Sequence, residues 1–391
     1  MRYYTAGESH GQGLVAIVED VPAGLKISEE QINVDLARRQ AGYGRGGRMK
    51  IEHDMVQVIS GVRFGRTIGS PVAMLVANRD WANWTDRMAP FGEPSLDLVR
   101  EVTPRPGHAD LVGALKTNTD DCRNILERSS ARTTAPRVAA AGIAREFLAD
   151  LGVEIFSYVT GIGSAVMRED DPFMNASRYT PLEIETSEVR CPDAEASEAM
   201  KREIDRAIKN KDSLGGTFRV IVRGLLPGVG GYAVPTERLT STIGGALFSI
   251  PAIKGVEFGM GFEAARKPGS QVHDPILLDR AKAEFTRASN NAGGLEGGMT
   301  TGMPLVVTAA MKPIPTLMQP LQTVDLDTLE VAQASKERSD VCAVPACAVV
   351  AEGEVAFAIA DAYMRKFGSD NMADIKAAIK AYKQRLNTVS R

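Results

Sequence analysis

One order of elements is run through twice in this chain, and that repetition limits its fold more than any other feature. The first pass begins with a strand-like segment over residues 13–20, then the turn Val21-Pro22-Ala23-Gly24. Ser28 and Gln31 form a capping-box pair that opens a helix ending near Gly42. A strand from Met55 runs into Gly61-Val62-Arg63-Phe64-Gly65, and Gly69-Ser70-Pro71 opens an apolar strand to about Ala77. In the second pass, Gly216 to Arg223 answers the first strand and Leu226-Pro227-Gly228 answers its turn. A helical stretch over about 236–249 follows, then Gly255-Val256-Glu257-Phe258-Gly259, then Gly302-Met303-Pro304 with its own apolar strand. The spacing between equivalent points varies, so the copies have diverged by insertion. Each unit needs the other to cover its sheet, and short turns between neighbouring strands favour antiparallel pairing.

The expected fold is therefore α+β: a single domain over residues 1–391 with internal pseudo-duplication, its halves about 1–150 and 213–345. Between the halves, 133–151 is Ala-rich with apolar residues at helical spacing and stops at Gly152. The polar helix over 191–212 reads as an excursion, and helical patterns over about 345–388 close the chain. A net charge of −3 with 44% apolar and 24% charged residues is that of a soluble globular protein. It supplies no general pull toward nucleic acid or membrane, and no apolar run is long enough for a transmembrane span. The four cysteines include no CxxC pair and no histidine at zinc spacing, so they read as reduced cytosolic thiols and metal binding is set aside.

Candidate chemistry gathers in the Gly-rich loops. Five glycines fall between Gly293 and Gly302, interleaved with Leu, Met and Pro, as in a packed loop that brings backbone close to a ligand. Lys312-Pro313-Ile314-Pro315-Thr316 forms a stiff stem beyond it. His10 and His108 both stand beside glycine, a setting that suits proton transfer near neutral pH. Arg38, Arg39, Arg45 and Arg48, then Arg128, Arg132 and Arg137, and finally Arg338, offer guanidinium groups for a small polyanion. The arginines carry no interleaved aromatics, which argues against RNA. Neither a Walker sequence nor a strand-linked GxGxxG is present. Residue types alone point to an enzyme for a small, multiply anionic substrate.

Seven ordered motifs identify the chain as similar to the chorismate synthase family. They are Gly7-Glu8-Ser9-His10-Gly11, Gly42-Tyr43-Gly44-Arg45-Gly46, Arg105-Pro106-Gly107-His108-Ala109-Asp110, Glu127-Arg128-Ser129-Ser130-Ala131-Arg132, Gly255-Val256-Glu257, the loop from Gly293 to Met299, and the run from Arg338 to Ala346. The resemblance implies two antiparallel sheets around a helical core, assembled as a homotetramer, a dimer of dimers. It implies conversion of 5-enolpyruvylshikimate 3-phosphate to chorismate by 1,4-anti elimination of phosphate, with reduced FMN and no net redox change.

By the same resemblance, His10 would protonate the departing phosphate or the reduced ring, and His108 would protonate or stabilise the flavin. Asp340 would help remove the substrate proton, with Ser9 and Ser130 as hydrogen-bonding relays. Arg39, Arg45, Arg48, Arg132 and Arg338 would hold the substrate's carboxylates and phosphate. FMN would rest on Arg128, Ser129, Ser130, Pro251, Ala252, Gly297, Arg338 and the stem Lys312, Pro313, Ile314, Pro315 and Thr316. With no dinucleotide fingerprint, reduced FMN is expected from a separate flavin reductase. NADPH enters only if the chain reduces its own flavin, its phosphate then meeting Arg39 and Arg45. Two positions depart from the family pattern. Thr133 stands where Glu is common, which removes an expected partner of Arg132 or Arg137. Pro251 stands where Asn or Gln is common, which removes a hydrogen-bond donor beside the flavin.

Overall fold

The structure, a computed structural model, describes residues 1–46, 53–281, 284–337 and 339–389. Arg48 and Arg338 lie outside the described residues. Helices and strands are mixed along the chain, as in an α+β protein. The first sheet contains β1 (Arg2–Ala6), β2 (Gly13–Glu19), β3 (Val56–Val58) and β4 (Val72–Ala77), in the order β1-β2-β4-β3. The second contains β5 (Glu154–Ile162), β6 (Gly216–Arg223), β7 (Ile253–Phe258) and β8 (Leu305–Met311), in the order β5-β6-β8-β7, with a short strand at Ala165–Val166 beyond β5. The two orders are the same, element for element. Neighbours pair antiparallel throughout, with Ala16 opposite Met74 in one sheet and Val220 opposite Val307 in the other.

The inward faces follow the pleat. Along β2 and β4, Leu14, Ala16, Val18, Val72, Met74 and Val76 are buried, while the alternate residues are more open. Helix α1 (Glu29–Gln40) packs on β3, and α4 (Thr134–Asp150) on β2 and β4. Helix α8 (Val344–Phe367) packs on β5 and β6, α7 (Leu239–Phe248) on β7, and α4 against α8. One contiguous apolar cluster runs through these layers. Between Thr117 and Thr133 the chain makes the N-terminal approach to α4 through α3 (Arg123–Ser129), preceded by α2 (Asp110–Thr117). The peripheral helices are α5 (Pro181–Glu185), α6 (Ala194–Asn210) and α9 (Met372–Val389).

The helix and strand expectations hold closely, with instructive exceptions. Ser28 Oγ accepts the Gln31 backbone N–H at 3.3 Å and starts α1 as the sequence indicates. The two Gly-Val-x-Phe-Gly segments, however, are not structural equivalents. Gly61–Gly65 lies in a small hairpin beyond β3, with Phe64 at φ 52°, whereas Gly255–Phe258 lies within β7. The equivalent of β7 is β3, so that sequence match is one of composition. Helix α4 begins at Thr134, as its Ala-rich pattern indicates, and carries Pro136 in its first turn, where no intrahelical N–H donor is needed.

Candidate active site

His10 and Ser9 lie in the loop that joins β1 to β2. Gly7 opens that loop at φ +100°, and a side chain there would place a Cβ 2.2 Å from the Gly13 carbonyl oxygen, so only glycine lets the loop close this tightly. The closed loop docks on α3. The Ser9 N–H donates to the Glu127 carbonyl at 3.0 Å, and Ser9 Oγ donates to Ser130 Oγ at 3.1 Å. Glu127, buried, receives the His10 backbone N–H at 2.7 Å and faces His10 Nδ1 at 2.8 Å. The His10 ring stacks on Trp84 with centroids 4.0 Å apart, and Arg123 lies over the same indole at 5.2 Å. Burial works against the Glu127 carboxylate, but its hydrogen bonds and charge interactions with His10, helped by Arg123, lower it below its ordinary range.

A few residues away, two arginines share one carboxylate. Arg39, on α1, donates to Asp54 at 2.6 Å, and Arg132 donates to the other oxygen of Asp54. Arg132 Nε also donates at 2.9 Å to Asn78, whose amide in turn donates to the carbonyls of Glu8 and Gly11. That bond fastens the arginine cluster to the His10 loop. Burial and the like charges of Arg132 and Arg45 lower the Arg39 guanidinium despite its pairing with Asp54. Its Nε is buried and finds no partner among the described residues. Arg45 pairs with Asp340 at 2.8 Å, and the Gly46 N–H donates to Asp340 at 2.6 Å. A Cβ on Gly46 would meet the Ser339 carbonyl at 2.7 Å, so glycine allows this approach of the two segments.

A second histidine cluster forms around His108. Its Nδ1 lies 2.5 Å from Asp110 and 3.1 Å from Arg105, which also donates to Asp110 at 2.8 Å and to Thr316 at 2.9 Å. Burial would raise Asp110, but the bonds from His108 and Arg105 hold it well below the usual carboxylate range. Lys312 joins the same cluster. Its Nζ donates to the Gly107 carbonyl at 3.0 Å, and its backbone N–H to the Ala252 carbonyl at 2.9 Å. Ser213 ties down Ile314 by donating to its carbonyl at 2.6 Å. Burial and neighbouring Lys254 lower the Lys312 ammonium. Among the described residues Lys312 Nζ meets only carbonyl oxygens, and the added field of Lys254 makes this a setting that favours an anion.

The expected residues therefore separate into groups. Ser9, His10 and Ser130 come together, as do Arg39 with Arg132, Arg45 with Asp340, and His108 with Lys312 and Thr316. Arg128 turns outward and donates to the carbonyls of Thr5 and Gly7 instead of joining the other arginines. Ser129 spends its hydroxyl on the Ile125 carbonyl within α3. Gly297 sits exposed at the tip of a hairpin over Leu295–Thr300, where the nearest atom to a built Cβ is Met299 Cε at 3.9 Å. Pro251 precedes Ala252, which holds φ +72° and presents its carbonyl to Lys312. Thr133 leaves neither arginine short of a partner, since Arg132 has Asp54 and Asn78 while Arg137 pairs with Glu354 at 2.8 Å. Reading the sequence singled out none of Asp54, Asn78, Trp84 or Arg123 as site residues. Glu127 and Asp110 lie inside the family motifs; for Asp110 the signal was its place two residues after His108, whereas no local signal tied Glu127 to His10.

The chorismate synthase family profile matches residues 1–364. The chain belongs to the chorismate synthase family. It is 51% identical over 388 residues to the chorismate synthase of Geobacter sulfurreducens, covering 98% of each chain. It is 50% identical over 387 residues to that of Aquifex aeolicus, covering 98% of this chain and 97% of the relative. A crystal structure of a chorismate synthase superposes with a TM-score of 0.80 at 40% identity, covering 99% of this chain and 98% of the other. Chorismate synthases are lyases that carry out the last common step of the shikimate pathway, and this chain is one of that family's enzymes.

Proposed function

We propose that the chain converts 5-enolpyruvylshikimate 3-phosphate to chorismate and phosphate by 1,4-anti elimination, with reduced FMN as cofactor. The observation that carries this is the convergence of Arg39, Arg45 and Arg132, where Arg39 and Arg132 share the buried Asp54 and Arg45 pairs with Asp340. A substrate with two carboxylates and a phosphate matches this cluster of guanidinium groups, and developing charge on the departing phosphate is stabilised by the same field. Arg48 and Arg338 are assigned to the same task from the family motif.

His10, held by Glu127 and Trp84, delivers a proton to the departing phosphate, with Ser9 and Ser130 as relays. Asp340, fixed by Arg45 and Gly46, takes part in removing the substrate proton. When bound, reduced FMN supplies transient electron density to the substrate and a nitrogen that accepts its proton. The residues present fit it: Lys312, held on the Gly107 carbonyl and within the field of Lys254, offers positive charge for its phosphate, and the exposed tip at Gly297 leaves room for a flat ring. The Lys312–Thr316 stem, Pro251, Ala252 and the Arg128-Ser129-Ser130 segment complete its site in this reading, with His108 as proton holder on the cofactor side.

The reading extends to architecture and setting. The equal strand orders support a single domain built by duplication, with the two sheets sandwiching the helices. The family resemblance supports assembly as a homotetramer, a dimer of dimers. Cys122, Cys191, Cys342 and Cys347 are free, which supports a cytoplasmic location, and no helix among the described residues is long and apolar enough to cross a membrane. A separate reductase supplies the reduced flavin.

The test is anaerobic phosphate release from 5-enolpyruvylshikimate 3-phosphate with chemically reduced FMN, beside oxidised FMN alone and oxidised FMN with NADPH. Release only with reduced flavin is the expected result. Release with NADPH as well would make the chain its own flavin reductase. No release in any arm, despite flavin binding, would reduce the chain to a silent homologue.

A further inference from the structure

The contacts of Glu127 fix more than the position of His10. A backbone N–H can only donate, so Glu127 Oε2, at 2.7 Å from the His10 amide, must accept. The other oxygen lies 2.8 Å from His10 Nδ1 and 3.5 Å from Arg123. An ionised carboxylate has no proton to offer, so Nδ1 must carry one. The His10 backbone N–H, Nδ1 and Arg123 all favour the ionised form, and together they lower Glu127 below its ordinary range despite its burial. The imidazole plane is set independently by the Trp84 stack, at 28° between the rings. Arg123 also donates to Glu337 at 2.7 Å, which anchors the carboxylate's cationic neighbour to the segment leading to Asp340.

We propose that Glu127 is a positioning residue for the elimination: it locks His10 in the Nδ1–H tautomer, so that Nε2 alone gives and takes the proton. The proposal rests on the role of His10 described above. With Nδ1 committed to the carboxylate in both charge states, neutral His10 is a base only at Nε2, and the protonated ring is an acid there. Proton delivery to the departing phosphate then breaks the Nε2–H bond, forms the phosphate O–H bond and returns the ring to the same tautomer without rotation. Trp84 prevents the ring flip that would exchange the two nitrogens.

The amide of a Glu127→Gln variant makes the arrangement testable, because it has only one acceptor oxygen. If that oxygen stays on the His10 backbone N–H, the amide NH2 faces Nδ1 and forces the proton onto Nε2. The chain has four histidines, so selective 15N labelling of the ring nitrogens gives few signals, and a His10→Asn variant assigns the relevant pair. The wild-type spectrum at neutral pH, which needs no variant to fold, is expected to show Nδ1 protonated and Nε2 bare. E127Q is expected to reverse the two, with kcat lowered about 10²- to 10⁴-fold and the substrate KM within about threefold of wild type. Wild-type His10 protonated at Nε2 would overturn the tautomer assignment and leave the role of His10 standing. Reversal in E127Q without loss of kcat would overturn the link to the reaction and, with it, proton transfer by His10.

Discussion

Arg45 and Asp340 form an ion pair at 2.8 Å that joins the loop after α1 to the segment leading into α8. Both side chains are largely buried, and Asp340 has the Gly46 N–H as a second donor. Truncating one partner of such a pair leaves the other charge poorly solvated, at a cost of about 2–5 kcal/mol. The expected result for Arg45→Ala is a fall in kcat/KM of about 100-fold or more, with both kcat and KM affected, because the arginine holds Asp340 and, in the proposed function, meets the substrate. Steady-state phosphate release with reduced flavin measures it. A change confined to KM would mean that Asp340 does not depend on Arg45.

Asp54 bridges Arg39 and Arg132 from a buried position. Removing it in Asp54→Ala leaves two guanidinium groups facing each other, and a loss of about 3–5 kcal/mol is expected. The denaturant midpoint should fall accordingly, and millimolar inorganic phosphate should restore more stability to the variant than to the wild type. Equal gains in the two proteins would show that the arginines do not form an anion site.

Lys312 donates to the Gly107 carbonyl, and burial and Lys254 lower its ammonium; in the proposed cofactor site its charge meets the flavin phosphate. Replacing it by Ala should weaken FMN binding about 10- to 100-fold, the range of a charged hydrogen bond. The deficit should shrink as salt is added, since part of the interaction is screened. Flavin fluorescence titrations at two ionic strengths decide this. An unchanged dissociation constant would remove Lys312 from the cofactor site.

Glu352 sits inside α8 with Arg38, Arg145, Arg190 and Ser157 around it. Burial opposes its charge, but the three arginines hold it far below its ordinary value of 4.5. A carboxylate depressed on folding contributes stability that is complete above its unfolded value and declines as pH falls. Thermal stability should therefore drop steadily below about pH 4.5. Glu352→Gln, which loses the charge at every pH, should be less stable at pH 7 and show a shallower acid dependence. Parallel pH profiles for the two proteins would contradict this.

Much of this architecture can be read from turns and periodicity. Gly and Pro bracket β2, β4, β6 and β8, and alternating burial gives the first two their pattern. β5 left no such trace, because nearly all of Glu154–Ile162 is buried on both faces and Ser, Thr and Gly interrupt the apolar run. The histidines showed themselves through their glycines. Their partners were harder to see, since Glu127 is 117 residues from His10 in the chain and only the fold joins them. The Asp54–Arg132 pair spans 78 residues, and Trp84 announced only a loop. Charge and residue type identified the cationic site, but which carboxylate serves which arginine is a property of the packed chain.

Helix α8, almost wholly buried between the layers, also bears on how the protein is made. The second sheet is complete at Met311, yet the helix that covers β5 and β6 starts at Val344. During synthesis, that sheet and the α8-facing side of α4 emerge from the ribosome with no cover of their own. The nascent chain must carry bare apolar surface until α8 has been made, the circumstance in which aggregation and chaperone dependence arise.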